Sequence, residues 1–257
     1  DKRGVNGDAT LAWFASKTGN KAFFEKERFL MPVDQMSRLG RLDGSALVWI
    51  SQYKEKEDIK IPTAWKGEGA NPVVIFTGES NDPHQYYFGG KGGRGTVNHG
   101  NMDGGSFIFE LNGVRWVVDP GNQDYNDLEQ TGFDLWGKCQ ECERWTLLTK
   151  NNFGHSTLTL NNELHKVDGL VTIKDFKGGN NPEVTFELTP AFHGLLKSAQ
   201  RKFRKDSPVS LTVEDLIEVS DSAKLITWQL MTTADVELTK EGAILRQDNK
   251  SLKIENL

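Results

Sequence analysis

The sequence is short of the features that fix a fold class at sight. Two cysteines occur in 257 residues, Cys139 and Cys142, and they form a lone C-x-x-C. A zinc ribbon needs a second pair and a thioredoxin-like centre needs a βα context, so neither motif is present. The pair reads as a loop feature whose oxidation state the spacing leaves open. No run approaches the ~20 apolar residues that span a bilayer, and no leader of basic residues followed by an apolar stretch opens the chain. The chain begins at Asp1 without a methionine. That reads as a processed or truncated start, which would have removed any targeting segment. Excess positive charge is missing too. The net charge is −5 at pH 7, which speaks against binding nucleic acid through bulk charge. A local basic cleft is still compatible with that balance, and Lys91 with Arg94, then Lys197 to Lys205, supply clusters.

Apolar material is sufficient for a packed core, at 37% hydrophobic and 10% aromatic residues, so wholesale disorder is excluded. Its pattern changes near residue 60. Before that point Asp8 stands as a capping residue ahead of Leu11, Ala12, Trp13 and Phe14, the start of an apolar helical face. Phe23, Phe24, Phe29 and Leu30, then Leu39, Leu42, Leu47, Trp49 and Ile50, recur at helix-like spacing, with Asp43-Gly44-Ser45 able to restart a helix. After Pro62 the runs are short and β-rich. Phe107 to Leu111 and Val114 to Val118 flank Asn112-Gly113, the strongest short hairpin signal. Further runs at 73–76, 86–88, 156–160, 171–173, 184–188, 209–213, 225–230 and 243–245 alternate with turn residues. Many short strands without helices between them predict a mainly β, antiparallel β-sandwich over residues 59–257, preceded by short helices over residues 1–58.

Five histidines are available for chemistry. His84, His165 and His193 have no neighbours that suggest a role. His99 lies in a glycine-dense stretch, from Gly92 to Gly105, which lets a backbone approach a ligand closely. It reads either as a ligand-facing group or as a hydrogen-bonded turn histidine. His155, Asp119 and Asn101 all fall at strand ends, where an imidazole, a carboxylate and an amide oxygen could hold a zinc-like ion. The spacing matches no standard zinc motif, and a capped turn with a satisfied histidine accounts for the same residues. Tyr125 reads as an acid, a base or a sugar-bonding hydroxyl, and equally as a loop anchor. Arg144 and Trp136 could line a sugar or carboxylate subsite, although loop packing explains them as well. Lys91 and Arg94 are candidates for meeting substrate anions.

Taken in order, Asn98-His99-Gly100-Asn101-Met102-Asp103-Gly104-Gly105-Ser106-Phe107, Asp119-x-Gly121 and Gly154-His155-Ser156-Thr157-Leu158 resemble the heparinase II/III family of bacterial polysaccharide lyases. The resemblance runs over roughly residues 85–170. It implies a supersandwich-like β domain, with residues 1–58 as the end of an (α/α) toroid whose remainder lies on the same or another chain. It also implies β-elimination on an acidic, uronate-containing polysaccharide, heparin or heparan sulfate before chondroitin or dermatan sulfate and alginate. His99 falls on the family's histidine at the scissile sugar. Asn101, Asp119 and His155 fall on its metal ligands, for one structural divalent ion, taken as zinc. Asn101 departs from the histidine many members carry there, which weakens the expected site. The resemblance further implies a periplasmic or secreted bacterial protein and leaves a homodimer open. An epimerase with the same machinery, a non-catalytic carbohydrate-binding sandwich and a metal-dependent hydrolase are the competing readings.

Overall fold

The computed structural model describes residues 9–20, 43–56, 62–79 and 81–256. The chain divides into two compact units, Asp1–Pro62 and Thr63–Leu257. In the first, helix α1 spans Ala9–Thr18 and helix α2 spans Asp43–Ser51. Ala12 and Ala15 form the buried side of α1. The helix ends where Gly19, at φ 73°, donates its N–H to Ala15 O, the left-handed stop that glycine makes cheaply. Helix α2 begins at Asp43, as the Asp-Gly-Ser signal suggests. The capping residue Asp8, and the apolar positions from Phe23 to Leu42, lie outside the described residues.

The second unit is mainly β, with every strand pair antiparallel. Strands β1 (Ala64–Gly67), β2 (Val73–Thr77), β3 (Tyr87–Lys91), β4 (Phe107–Leu111) and β5 (Val114–Val117) form one five-stranded sheet in sequence order. The β4–β5 hairpin turns on Asn112-Gly113, whose φ values of 55° and 76° are the left-handed pair that this dipeptide favours. Strands β7 (Thr172–Lys177), β8 (Glu183–Glu187), β9 (Leu196–Ser207) and β10 (Ser210–Val219) form a four-stranded sheet in the order β10-β9-β8-β7. Alternate residues of β2, β3 and β8 are buried, as a sheet with one face on a core requires. The two sheets close on each other through aromatic rings, with Phe203 of β9 lying 4.8 Å from Phe88 and 5.1 Å from Phe107 between centroids. This is the antiparallel β-sandwich. Strands β6 (Leu158–Leu160) and β11 (Ile226–Trp228) pair separately, and β12 (Asp235–Thr239), β13 (Gly242–Gln247) and β14 (Lys250–Glu255) form a three-stranded meander.

Two connections carry the candidate site. The glycine-dense segment joins β3 to β4, and residues 118–157 run from β5 to β6. The first is pinned to the sandwich rather than left open. Gly93 and Val171 exchange backbone hydrogen bonds of 2.8 and 2.9 Å. A methyl on Gly92 would lie 2.5 Å from Val171 O, and one on Gly104 would lie 2.6 Å from the Val171 side chain. These two glycines serve close packing against Val171, the residue before β7, so the loop is a fixed platform.

Candidate active site

His99 and Tyr125 meet at the surface of this platform. Tyr125 opens helix α3 (Tyr125–Gln130), whose Asp124 caps it by accepting the Asn126 N–H at 3.0 Å. The imidazole Nδ1 of His99 lies 3.4 Å from the Tyr125 hydroxyl, and the two rings stack at 7° with centroids 5.9 Å apart. Trp136 stands edge-on to both, at 5.4 Å from His99 and 5.3 Å from Tyr125. Its Nε1–H donates to Glu129 at 2.6 Å, and the ring is 47% exposed. His99 adopts φ 57°, a left-handed conformation that costs a non-glycine residue about 1–2 kcal/mol. Such a cost persists only where surrounding contacts over-determine it, and it recurs at functional sites.

What fixes this cluster lies beneath it. Arg144 donates from Nη2 to Gly100 O at 2.6 Å and stacks over Trp145 at 4.4 Å. It is 2% exposed, and burial lowers its pKa from the ordinary arginine value. Lys150 is also buried; its ammonium donates to Asn122 Oδ1 at 2.7 Å and to the Tyr125 hydroxyl at 3.5 Å. Burial, and then the Arg144 charge, pull the Lys150 pKa down. The Cys139–Cys142 pair is a disulfide in this loop, and Cys139 O accepts the Trp145 indole N–H at 2.8 Å.

Beside this lies an acidic cluster. Asp103, Asp119 and His155 each offer a ligand atom, all within 4.8 Å of one another. His155 is buried, with Nδ1 3.0 Å from Asp119 Oδ2. Burial pushes the Asp119 carboxyl up, but its bond to His155, the Gly121 N–H and the Lys91 charge outweigh that and hold it below the ordinary aspartate range. Asp103 is 3% exposed and pairs with Lys91. Among the described residues, the buried atoms of this loop region without a hydrogen-bond partner include Asn101 Oδ1, Asp103 Oδ1 and His155 Nε2. Orphaned donors and acceptors of this kind are costly unless something satisfies them. Two carboxylates and an imidazole are a donor set for a zinc-like ion, so the residues present fit one.

The structure therefore brings His99, Tyr125 and Trp136 into one cluster, and Asp119 and His155 into another. Asn101 points one orphaned oxygen into the interior and lines a small cavity with Gly95, His165 and Val171. Lys91 does not stand free for an anion, because its ammonium pairs with Asp103. Arg144, expected at a subsite, is buried and holds the backbone next to His99. Arg94 is exposed. Two participants escaped sequence reasoning. Asp103 sits two residues past Asn101 in the same glycine loop, and that proximity was the available signal. Lys150, next to the polar Asn151-Asn152, carries no signal that it is buried.

A family model described as heparinase II/III-like, C-terminal, matches residues 87–256. Among solved structures, the heparan sulfate lyase HepC of Pedobacter heparinus superposes with a TM-score of 0.56 at 16% identity, covering 92% of this chain and 33% of that one. A heparinase III matches with a TM-score of 0.54 at 14% identity, covering 86% of this chain and 34% of that one. The chain thus spans about a third of the length of these structures. No curated protein matches it by sequence. With two compact sheets, the ordered glycine, aspartate and histidine segments and a family match over most of its length, the chain belongs to the heparinase II/III family, as its C-terminal β-sandwich part.

Proposed function

We propose that this chain is the β-sandwich part of a polysaccharide lyase that cleaves a uronate-containing polymer by β-elimination. Family membership supports the reaction class, and one observation carries the site: an exposed, backbone-strained imidazole bonded to a tyrosine hydroxyl and walled by a half-exposed tryptophan. In β-elimination a base removes the uronate C5 proton, the C–H electron pair becomes the C4–C5 double bond, and the 4-linked oxygen leaves and takes a proton. The C5 proton is weakly acidic, so the uronate carboxylate must be neutralised or hydrogen-bonded as charge develops. His99 and Tyr125 are the groups of this chain that would meet the sugar there. Trp136 offers an apolar edge against a pyranose face. The remaining acid–base group would come from a helical toroid, with residues 1–58 as its end, on the same or another chain.

Asp103, Asp119 and His155 would hold the divalent ion, which when bound would supply charge and rigidity to the glycine segment. Heparan sulfate is the first substrate to test, because the name of one solved structure carries it, with chondroitin or dermatan sulfate and alginate next. A bacterial periplasm or exterior is where such polymers would be met. The test is to incubate the native protein that carries this chain with each polymer and follow the ultraviolet absorbance of unsaturated uronate. Product from one of them is expected. Absence from all of them removes the lyase reading, and C5 inversion without product selects an epimerase.

A further inference from the structure

The feature left unexplained is Lys150. It is 1% exposed, and among the described residues its ammonium forms no ion pair. Its acceptors are neutral, Asn122 Oδ1 at 2.7 Å and the Tyr125 hydroxyl at 3.5 Å, and it lies 5.1 Å from the Tyr125 ring centroid. A second buried cation, Arg144, stands in the same loop. Burying an ammonium is unfavourable compared with an apolar side chain of that size, and the Asp103 and Asp119 carboxylates favour its charge without bonding it, so packing alone does not account for it.

The direction of the hydrogen bonds does. An ammonium has three donors and no acceptor, whereas a phenol hydroxyl has one hydrogen and two lone pairs. With one lone pair of Tyr125 receiving Lys150, the phenol hydrogen is free to be donated to His99 Nδ1, 3.4 Å away. A neutral imidazole that accepts at Nδ1 carries its proton on Nε2. Among the described residues Nε2 of His99 has no partner, and the residue is exposed. We propose that Lys150 is a positioning residue that polarises the Asn122–Lys150–Tyr125–His99 chain and presents His99 outward as an Nε2–H donor. The inference deepens the lyase reading and rests on it for what the donor meets: the uronate carboxylate or the leaving oxygen. On this account His99 does not take the C5 proton in its resting form.

The experiment is a 15N-histidine spectrum of the chain at neutral pH, where ring-nitrogen shifts report which nitrogen carries hydrogen. His99 is expected as a single Nε2–H form. In Lys150→Met, its two ring shifts are expected to converge as tautomers mix, with those of His165 unchanged. A wild-type His99 protonated on Nδ1, or unchanged His99 shifts in the variant, would overturn the proposal. Should Lys150→Met fail to fold, Tyr125→Phe carries the same test, since that ring is partly exposed. There too, unmoved His99 shifts count against it. In the native protein Lys150→Met is expected to lower kcat roughly 10- to 100-fold, the usual loss for an outer partner that orients a site group, with KM little changed. A rise in KM with kcat intact would also overturn it. Failure of the lyase reading is a separate outcome, because it removes turnover from the wild type while leaving the spectra to decide.

Discussion

Arg201 gives the sharpest stability test of how the platform is held. It is fully buried in β9. Nε and Nη2 donate to the two oxygens of Asp215 at 2.7 and 2.8 Å, and Nη1 donates to Gly105 O at 3.0 Å and Ser156 O at 3.1 Å. Gly105 is two residues past Asp103, and Ser156 follows His155, so one guanidinium ties together both backbone segments that carry the acidic cluster. Arg201→Met keeps much of the volume and removes every donor. It leaves a carboxylate whose side chain is 11% exposed without its counter-ion, which costs about 3–5 kcal/mol. The two carbonyls add to that only as far as they stay dry. Removing both partners in Arg201→Met/Asp215→Leu takes away the uncompensated charge, so the double variant is expected to be more stable than Arg201→Met by about 2 kcal/mol or more. Urea unfolding at pH 7, followed by tryptophan fluorescence, reads all three proteins. A loss under about 1 kcal/mol in Arg201→Met, or a double variant no better than the single, would refute the reasoning.

Three further outcomes follow from the same structure. Burial lowers the His165 pKa from 6.5 to about 4, so below 6.5 the unfolded chain takes up a proton that the folded chain refuses. That contribution is fully present above pH 6.5 and fades as pH falls toward 4. It amounts to about 3 kcal/mol from about 2.5 pH units at ~1.36 kcal/mol each. The difference in unfolding free energy between wild type and His165→Gln should therefore shrink across that window, and a pH-independent difference contradicts it. Zinc at about 100 times its dissociation constant should stabilise the chain by about 2.7 kcal/mol. Thermal scans should show that gain lost in Asp103→Asn and in His155→Gln, and an equal gain in both variants would place the ion elsewhere. Trp136→Ala, at an exposed ring, should change stability by no more than ~0.5 kcal/mol while weakening oligosaccharide binding by about 1 kcal/mol, read by calorimetry.

The strands that could be read from the sequence were those whose apolar residues alternate or run together beside a turn dipeptide. Asn112-Gly113 marked its hairpin because both residues tolerate positive φ. Strand β9 could not be read that way. Its inward positions include Arg201 and Lys205 beside Ala199 and Phe203, so its outline is that of a basic surface cluster, and the pairing of Arg201 with Asp215 is what lets that charge lie in the core. Strand β12 does alternate in sequence, with Val236 and Leu238 between polar residues, yet it is exposed along its whole length. At the site, the order of the glycine, aspartate and histidine segments was legible, but the state of each charge was not. Whether a lysine is buried under a tyrosine, as Lys150 is, or a carboxylate faces an imidazole, as Asp119 does, depends on contacts across 25 and 36 residues. The glycines read as making room for a ligand, whereas Gly92 and Gly104 make room for Val171.

The measurement that bears most directly on the account compares the native protein with its His99→Ala form on the polymer it degrades, scoring unsaturated uronate per unit time. The account predicts steady product from the first and a rate lower by roughly 10²- to 10⁴-fold in the second, with thermal unfolding unchanged. Equal rates from both proteins would contradict it.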